Sequence, residues 1–213
     1  MKRRSAAGGK DEDMTTYDLD LLTLTNVGEE LESREGLAPL FLGAYNEAYS
    51  LLCSSVLKPE ATEAVRLDEN RRFDPEVLLH PVAPGGILAV KSGFDFGADG
   101  AGKAHVFSHY RADDGVVAVP GAPAGGTVVV TYRCAPEVLL GGTAPGQGST
   151  PQLLPEEAHA ALASYAAAAF FRVRRKFERM QVWMDAWLSA VQAFREQRPP
   201  ENLSIRQAYC PMP

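Results

Sequence analysis

The sequence has few of the features that announce a chemistry. Its three cysteines, Cys53, Cys134 and Cys210, are odd in number and show no CxxC spacing, so neither a disulfide framework nor a zinc ribbon is indicated. They read as free thiols in a reducing compartment. No apolar run reaches the roughly 18–20 residues of a membrane span. The nearest, Ala160–Phe171, is alanine-rich and runs into Arg172, Arg174, Arg175 and Lys176. Lys2, Arg3 and Arg4 are not followed by an apolar core, so no secretory signal is expected. A large basic block is also missing, and the formal net charge is −6 over 213 residues, a poor match to a nucleic-acid wrapper. There is no GxSxG and no internal repeat.

What is present is a globular composition, 46% hydrophobic and 23% charged, long enough for a core. Charge is segregated. Residues 14–150 carry nine bases and eighteen acids, whereas residues 151–213 carry eight bases and six acids. Periodicity places a helix from Asn26 as N-cap through Val27 and Leu31, ended by Gly36. A second helix follows, with Pro39 in its first turn and Leu40, Phe41, Ala44, Tyr45, Ala48, Leu51, Leu52 and Val56 on its apolar stripe, up to Pro59. The pattern then becomes strand-like at Ala64–Leu67, Gly86–Lys91, Ala104–Tyr110, Val116–Val119 and Thr127–Tyr132. Asp74–Leu79 reads as one capped helical turn, and Asp114-Gly115 as a hairpin turn. Two helices close the pattern. One opens at Pro155-Glu156-Glu157 and buries Leu162, Tyr165, Ala166, Ala169 and Phe170. The other carries Phe177, Met180, Met184, Trp187, Leu188, Val191 and Phe194, and stops at Pro199-Pro200. Neither Gly nor Pro marks the boundary between them near Arg175.

Helices at both ends with strands between define an α+β class. The expected divisions are a flexible arm at 1–13, a helical bundle from 14–58 and 151–198, an inserted antiparallel β-sandwich-like region at 59–140, a linker at 141–150 and an extended tail at 199–213.

Each apparent motif has a plainer explanation. Gly97 to Lys103 matches GxxxxGK, but Ala104 stands where Ser or Thr would hold Mg²⁺, and strand character follows where a helix is needed. The four-glycine stretch 93–103 therefore reads as a loop between strands. His105 and His109 on one strand would stand ~13 Å apart, too far to share an ion. Asp113 and Asp114 are paired carboxylates in a turn, where solvation and turn geometry are their ordinary task. Cys53 falls on a buried-looking helical stripe and reads as a core thiol. No cofactor or metal ligand set emerges, and the chain is not expected to be an enzyme. Arg172, Arg174, Arg175, Lys176 and Arg179 form the one basic cluster, either a solvated helix end or a surface for the acidic β region of another copy. Leu203, Ile205 and Tyr209 share one side of an extended tail that is either disordered or laid along a neighbour.

Three stretches resemble the head-to-tail adaptor (connector) proteins of tailed bacteriophages. They are Gly43-Ala-Tyr-Asn-Glu-Ala-Tyr49; the run from Asp114-Gly-Val-Val-Ala-Val-Pro120 to Val128-Val-Val-Thr-Tyr-Arg-Cys-Ala-Pro136; and Leu154-Pro-Glu-Glu-Ala-His-Ala-Ala-Leu-Ala-Ser-Tyr-Ala-Ala-Ala-Ala-Phe170 with the amphipathic helix after it. Together they span about residues 14–195. The resemblance implies a homo-oligomeric, usually twelve-fold, ring at the head–tail junction of a virion, made in the host cytoplasm. It implies portal protein above, a tail or nozzle protein below, DNA passing without sequence-specific contact, and no membrane. An acidic or mixed wall would repel phosphate rather than grip it. On this reading the basic cluster and the tail residues are contacts to subunit or portal. Two alternatives stand beside it: a small hydrolase using Asp113/Asp114 or His105/His109, and a β-sandwich binding module with a helical oligomerisation region.

Overall fold

The computed structural model of the chain describes residues 14–92 and 105–197. The expected arm at 1–13, the 93–103 loop with its GxxxxGK match, and the tail with Leu203, Ile205 and Tyr209 lie outside them. The fold is α+β: a helical bundle made from both ends of the described chain, with an antiparallel β region inserted between.

The first helix, α1 (Thr16–Val27), begins ten residues before the expected Asn26 cap. The Asp18 carboxylate accepts from the Thr15 N–H at 3.0 Å and its hydroxyl at 2.7 Å, which fixes the start. Gly28, at φ 74°, ends it in the left-handed conformation. Asn26 therefore sits in the last turn and caps nothing. The helix escapes a periodicity search because its buried face is half polar: Thr16, Asp20 and Thr23 are buried with Leu19, Leu24 and Val27. A short 3-10 turn, Leu31–Ser33, leads into α2 (Arg34–Leu51). Gly36 lies inside the first turn of α2 rather than ending a helix, and Pro39 lies inside the helix. Phe41, Ala44, Tyr45 and Ala48 are buried as the stripe requires, whereas Leu51 is exposed. One π turn, Leu52–Leu57, completes the segment and buries Cys53, whose thiol burial pushes up to about 12.

The β region holds β1 (Glu60–Arg66), β2 (Arg72–Phe73), β3 (Val82–Ser92), β4 (Val106–Phe107), β5 (Tyr110–Arg111), β6 (Val117–Ala118) and β7 (Thr127–Cys134). One sheet has the order β1-β7-β3-β4 and the other β2-β6-β5, with every pairing antiparallel. The β-branched β7 is central, and its alternation buries Val128, Val130, Tyr132 and Cys134. These pack with Val65, Phe73, Val90, Phe107, Val117 and Val119 from both sheets. The expected strand Ala104–Tyr110 is in fact split. Val106–Phe107 pairs with β3, and Tyr110–Arg111 pairs with β6, so the chain changes sheets at Ser108-His109. The β1 strand also starts earlier than Ala64, where Glu60, Thr62 and Glu63 leave no apolar run.

Residues 135–155 return over the bundle without regular structure but with defined anchors. The Asn46 amide accepts from the Leu139 N–H at 2.7 Å and donates to the Leu139 carbonyl at 3.2 Å. Thr16 donates its N–H to the Ser149 carbonyl at 2.9 Å and its hydroxyl to the Leu140 carbonyl at 2.7 Å. Gly148, at φ 95°, passes so close to Thr16 that a Cβ would strike its hydroxyl. Segment 141–150 is thus an ordered loop on the α1 N-terminus.

The bundle closes with α3 (His159–Val173) and α4 (Phe177–Gln197). Eleven of the fifteen residues of α3 are buried, because α1, α2 and α4 all pack against it. Its alanines let three helix backbones approach. On α4, Trp187, Val191 and Phe194 are buried, while Phe177 and Leu188, expected on the same stripe, are exposed.

A buried ion pair ties α1 to α2. Arg34 Nη2 lies 2.8 Å from Asp20 Oδ2, with side-chain exposures of 8% and 5%. Arg34 also donates to the Gly142 carbonyl and stacks 4.1 Å from the Tyr17 ring centre. Burial raises the Asp20 carboxyl more than Arg34 lowers it, so the charged pair is held against a desolvation cost. Asp20→Ala should lose about 3–5 kcal/mol in urea denaturation by stranding the Arg34 charge, and Asp20→Leu/Arg34→Met should regain most of it. Equal losses in the single and double variants would contradict this assignment.

Candidate functional site

All five bases of the cluster lie at one place, the turn between α3 and α4. Lacking glycine, the turn forms by a Schellman closure with an arginine in the left-handed position. Arg175 has φ 55°, its N–H donates to the Arg172 carbonyl at 3.1 Å, and the Lys176 N–H donates to the Phe171 carbonyl at 2.9 Å. The boundary near Arg175 was legible, but its geometry was not, since glycine usually occupies that conformation.

Arg172, Arg174, Arg175, Lys176 and Arg179 are all exposed. The Arg174 guanidinium sits 5.2 Å from the Phe170 ring centre and that of Arg179 lies 5.7 Å from Phe171, so two cations rest on the aromatic end of the bundle core. Val173 and Phe177 stand between the charges at 61% and 62% exposure. A shallow recess of about 480 Å³ runs from Arg175 to Arg179. The C-terminal carbonyls of α3 add a partial negative charge that favours cations here. The result is a positively charged, partly apolar knob at the end of a helical hairpin. It suits contact with an acidic surface.

The alternative residues do not converge. Asp114 accepts from the Val116 N–H at 3.1 Å and lies 3.4 Å from Arg72 Nη1, in a turn closed by Gly115 at φ 86°. Asp113 and Asp114 are exposed in that turn. His105 packs edge-on against Phe107 at 4.8 Å, while His109 Nε2 lies 3.4 Å from the Ile87 carbonyl oxygen in a recess of about 220 Å³. The two histidines flank β4 and β5, in different sheets. Among the described residues, no group of three or more His, Cys, Asp and Glu side chains is arranged to hold a metal ion. Another polar cluster, which periodicity missed, joins Glu63 to Tyr132 across the sheet. The Tyr132 hydroxyl donates to Glu63, and the same carboxylate accepts from the Leu79 N–H at 3.1 Å. Burial first, then Glu63, pushes the phenol up to about 12, which suits a pin rather than a proton carrier.

No family model matches the chain, and no curated protein does. Among solved structures, a chain from the neck of an empty GTA particle, computed with C6 symmetry, aligns over 63% of this chain and 65% of its own length. The identity is 14% and the TM-score 0.25. This chain therefore spans just under two thirds of that neighbour, and a score at this level does not fix a common topology.

The turn geometry carries a direct consequence. Arg175→Gly should stabilise the protein by about 1 kcal/mol in urea denaturation, by relieving a left-handed side chain. Unchanged or reduced stability would mean that the turn is not strained there.

Proposed function

We propose that this chain is a virion structural protein, a head-to-tail adaptor whose copies form a ring below the portal, extend the DNA channel and join capsid to tail. The observation that carries this reading is the α3–α4 knob: five exposed cations and two exposed apolar side chains on the rigid end of a bundle. Such a surface serves contact rather than turnover, and it lies beyond the segments that anchor the β region. The three stretches that resemble adaptor proteins occupy structural positions. Asn46 pins the returning chain, β7 is an inner strand of its sheet, and Leu154–Phe170 leads into and forms most of the central helix.

On this reading the subunit is not an enzyme. By its family resemblance the ring is twelve-fold, with portal protein on one side and a tail or nozzle protein on the other. Arg172, Arg174, Arg175, Lys176 and Arg179 are contacts to subunit or portal, as are Leu203, Ile205 and Tyr209, which lie outside the described residues. An acid-rich β region would keep DNA from sticking to the channel wall.

Purified protein mixed with portal rings and imaged by electron microscopy should add a stacked ring to one portal face. Arg174→Glu should weaken that binding at least tenfold, whereas Asp113→Ala/Asp114→Ala should leave it unchanged. A protein that ignores portal rings, or that hydrolyses a small substrate in a way that depends on the paired aspartates, would overturn the proposal.

A further inference from the structure

The basic knob has a candidate acidic counterpart outside the strand-rich region as well. Residues 29–35, which link α1 to α2 and enter the first turn of α2, carry Glu29, Glu30, Glu32 and Glu35. Their one base, Arg34, is turned inward and taken by Asp20. The segment is therefore an acidic turn, and at its centre Leu31 is 57% exposed.

The start of this segment lies beside the knob. Phe41 of α2 packs on Phe170, near the end of α3, at 6.4 Å. Val27 and Gly28, at the end of α1, line one recess with Phe171 and Arg179. No ion pair among the described residues joins the four acids to the five bases. Each patch keeps its charge within one chain.

An acidic and a basic patch exposed on one subunit, with no ion pair joining them within it, suit a contact between two copies of the chain. The geometry points to a second copy of this chain as the occupant of the knob: the acidic turn 29–35 of one subunit seats on residues 172–179 of the next. Leu31 packs against Val173 and Phe177, and the glutamates face Arg174, Lys176 and Arg179. Glu178, the one acid of the knob, lies within it and limits the excess to four positive charges. This names the acidic turn, rather than the acidic β region, as the proposed partner of the basic cluster. It deepens the adaptor reading by naming the subunit–subunit surface, and it rests on that reading.

Charge reversal on the full chain tests it. Lys176→Glu/Arg179→Glu lies at the start of α4, where acids suit the helix dipole. Glu30→Lys/Glu32→Lys reverses the other patch. Thermal melts check that both variants fold, and an engineered Leu31→Asp serves if either does not. Sedimentation at low ionic strength should show self-association weakened at least tenfold in each variant and restored when the two are mixed. Association that survives both reversals, or losses that mixing does not repair, would overturn the pairing while leaving the adaptor reading in place. A wild-type chain that neither self-associates at any concentration nor gathers on portal rings would overturn both.

Discussion

The packing of three helices around one thin helix is the constraint on which the rest depends. Residues 159–173 include seven alanines, and the positions that face α1, α2 and α4 are closed to solvent. Small side chains let the neighbouring backbones come close enough for Tyr45, Phe41 and Trp187 to fill the spaces between them. Because α1 and α2 precede the β region and α3 and α4 follow it, this packing forces the strands to leave and return as an insertion. Larger residues on α3 would push the two halves of the bundle apart before any other contact was lost.

Polar contacts then fix what apolar packing leaves free. The buried Arg34–Asp20 pair sets α2 against α1, and the Asn46 amide holds Leu139 as a strand partner would. The two crossings to the β region lie side by side, since the Cys134 N–H donates to the Pro59 carbonyl at 2.8 Å. The β region is thus attached at one end of the bundle. The acidic and basic turns lie clear of that junction, which is where a subunit built for contact with its own copies would place them.

Much of this was legible in the sequence where one signal dominated. The stripe of α2, the β-branched β7, the Asp-Gly hairpin and the alanine-rich α3 all have a single period or a single turn chemistry. The failures occurred where two signals competed. Thr16, Asp20 and Thr23 on the buried face of α1 hid its helical period, and the resulting false start at Asn26 disguised residues 29–35 as a helix. That concealed the acidic turn. The basic cluster could be read from charge alone, but its partner could not, because the nearness of two turns separated by some 140 residues is a tertiary fact. Ser108-His109 misled in the same way: one apolar run served two sheets.

Native-state hydrogen exchange tests the central packing most directly. If α3 is the common support, its amides should exchange slowest, and those of α1, α2 and α4 should open with it in a single cooperative step as denaturant rises. An α3–α4 hairpin that stays protected after α1 and α2 have opened would contradict the account.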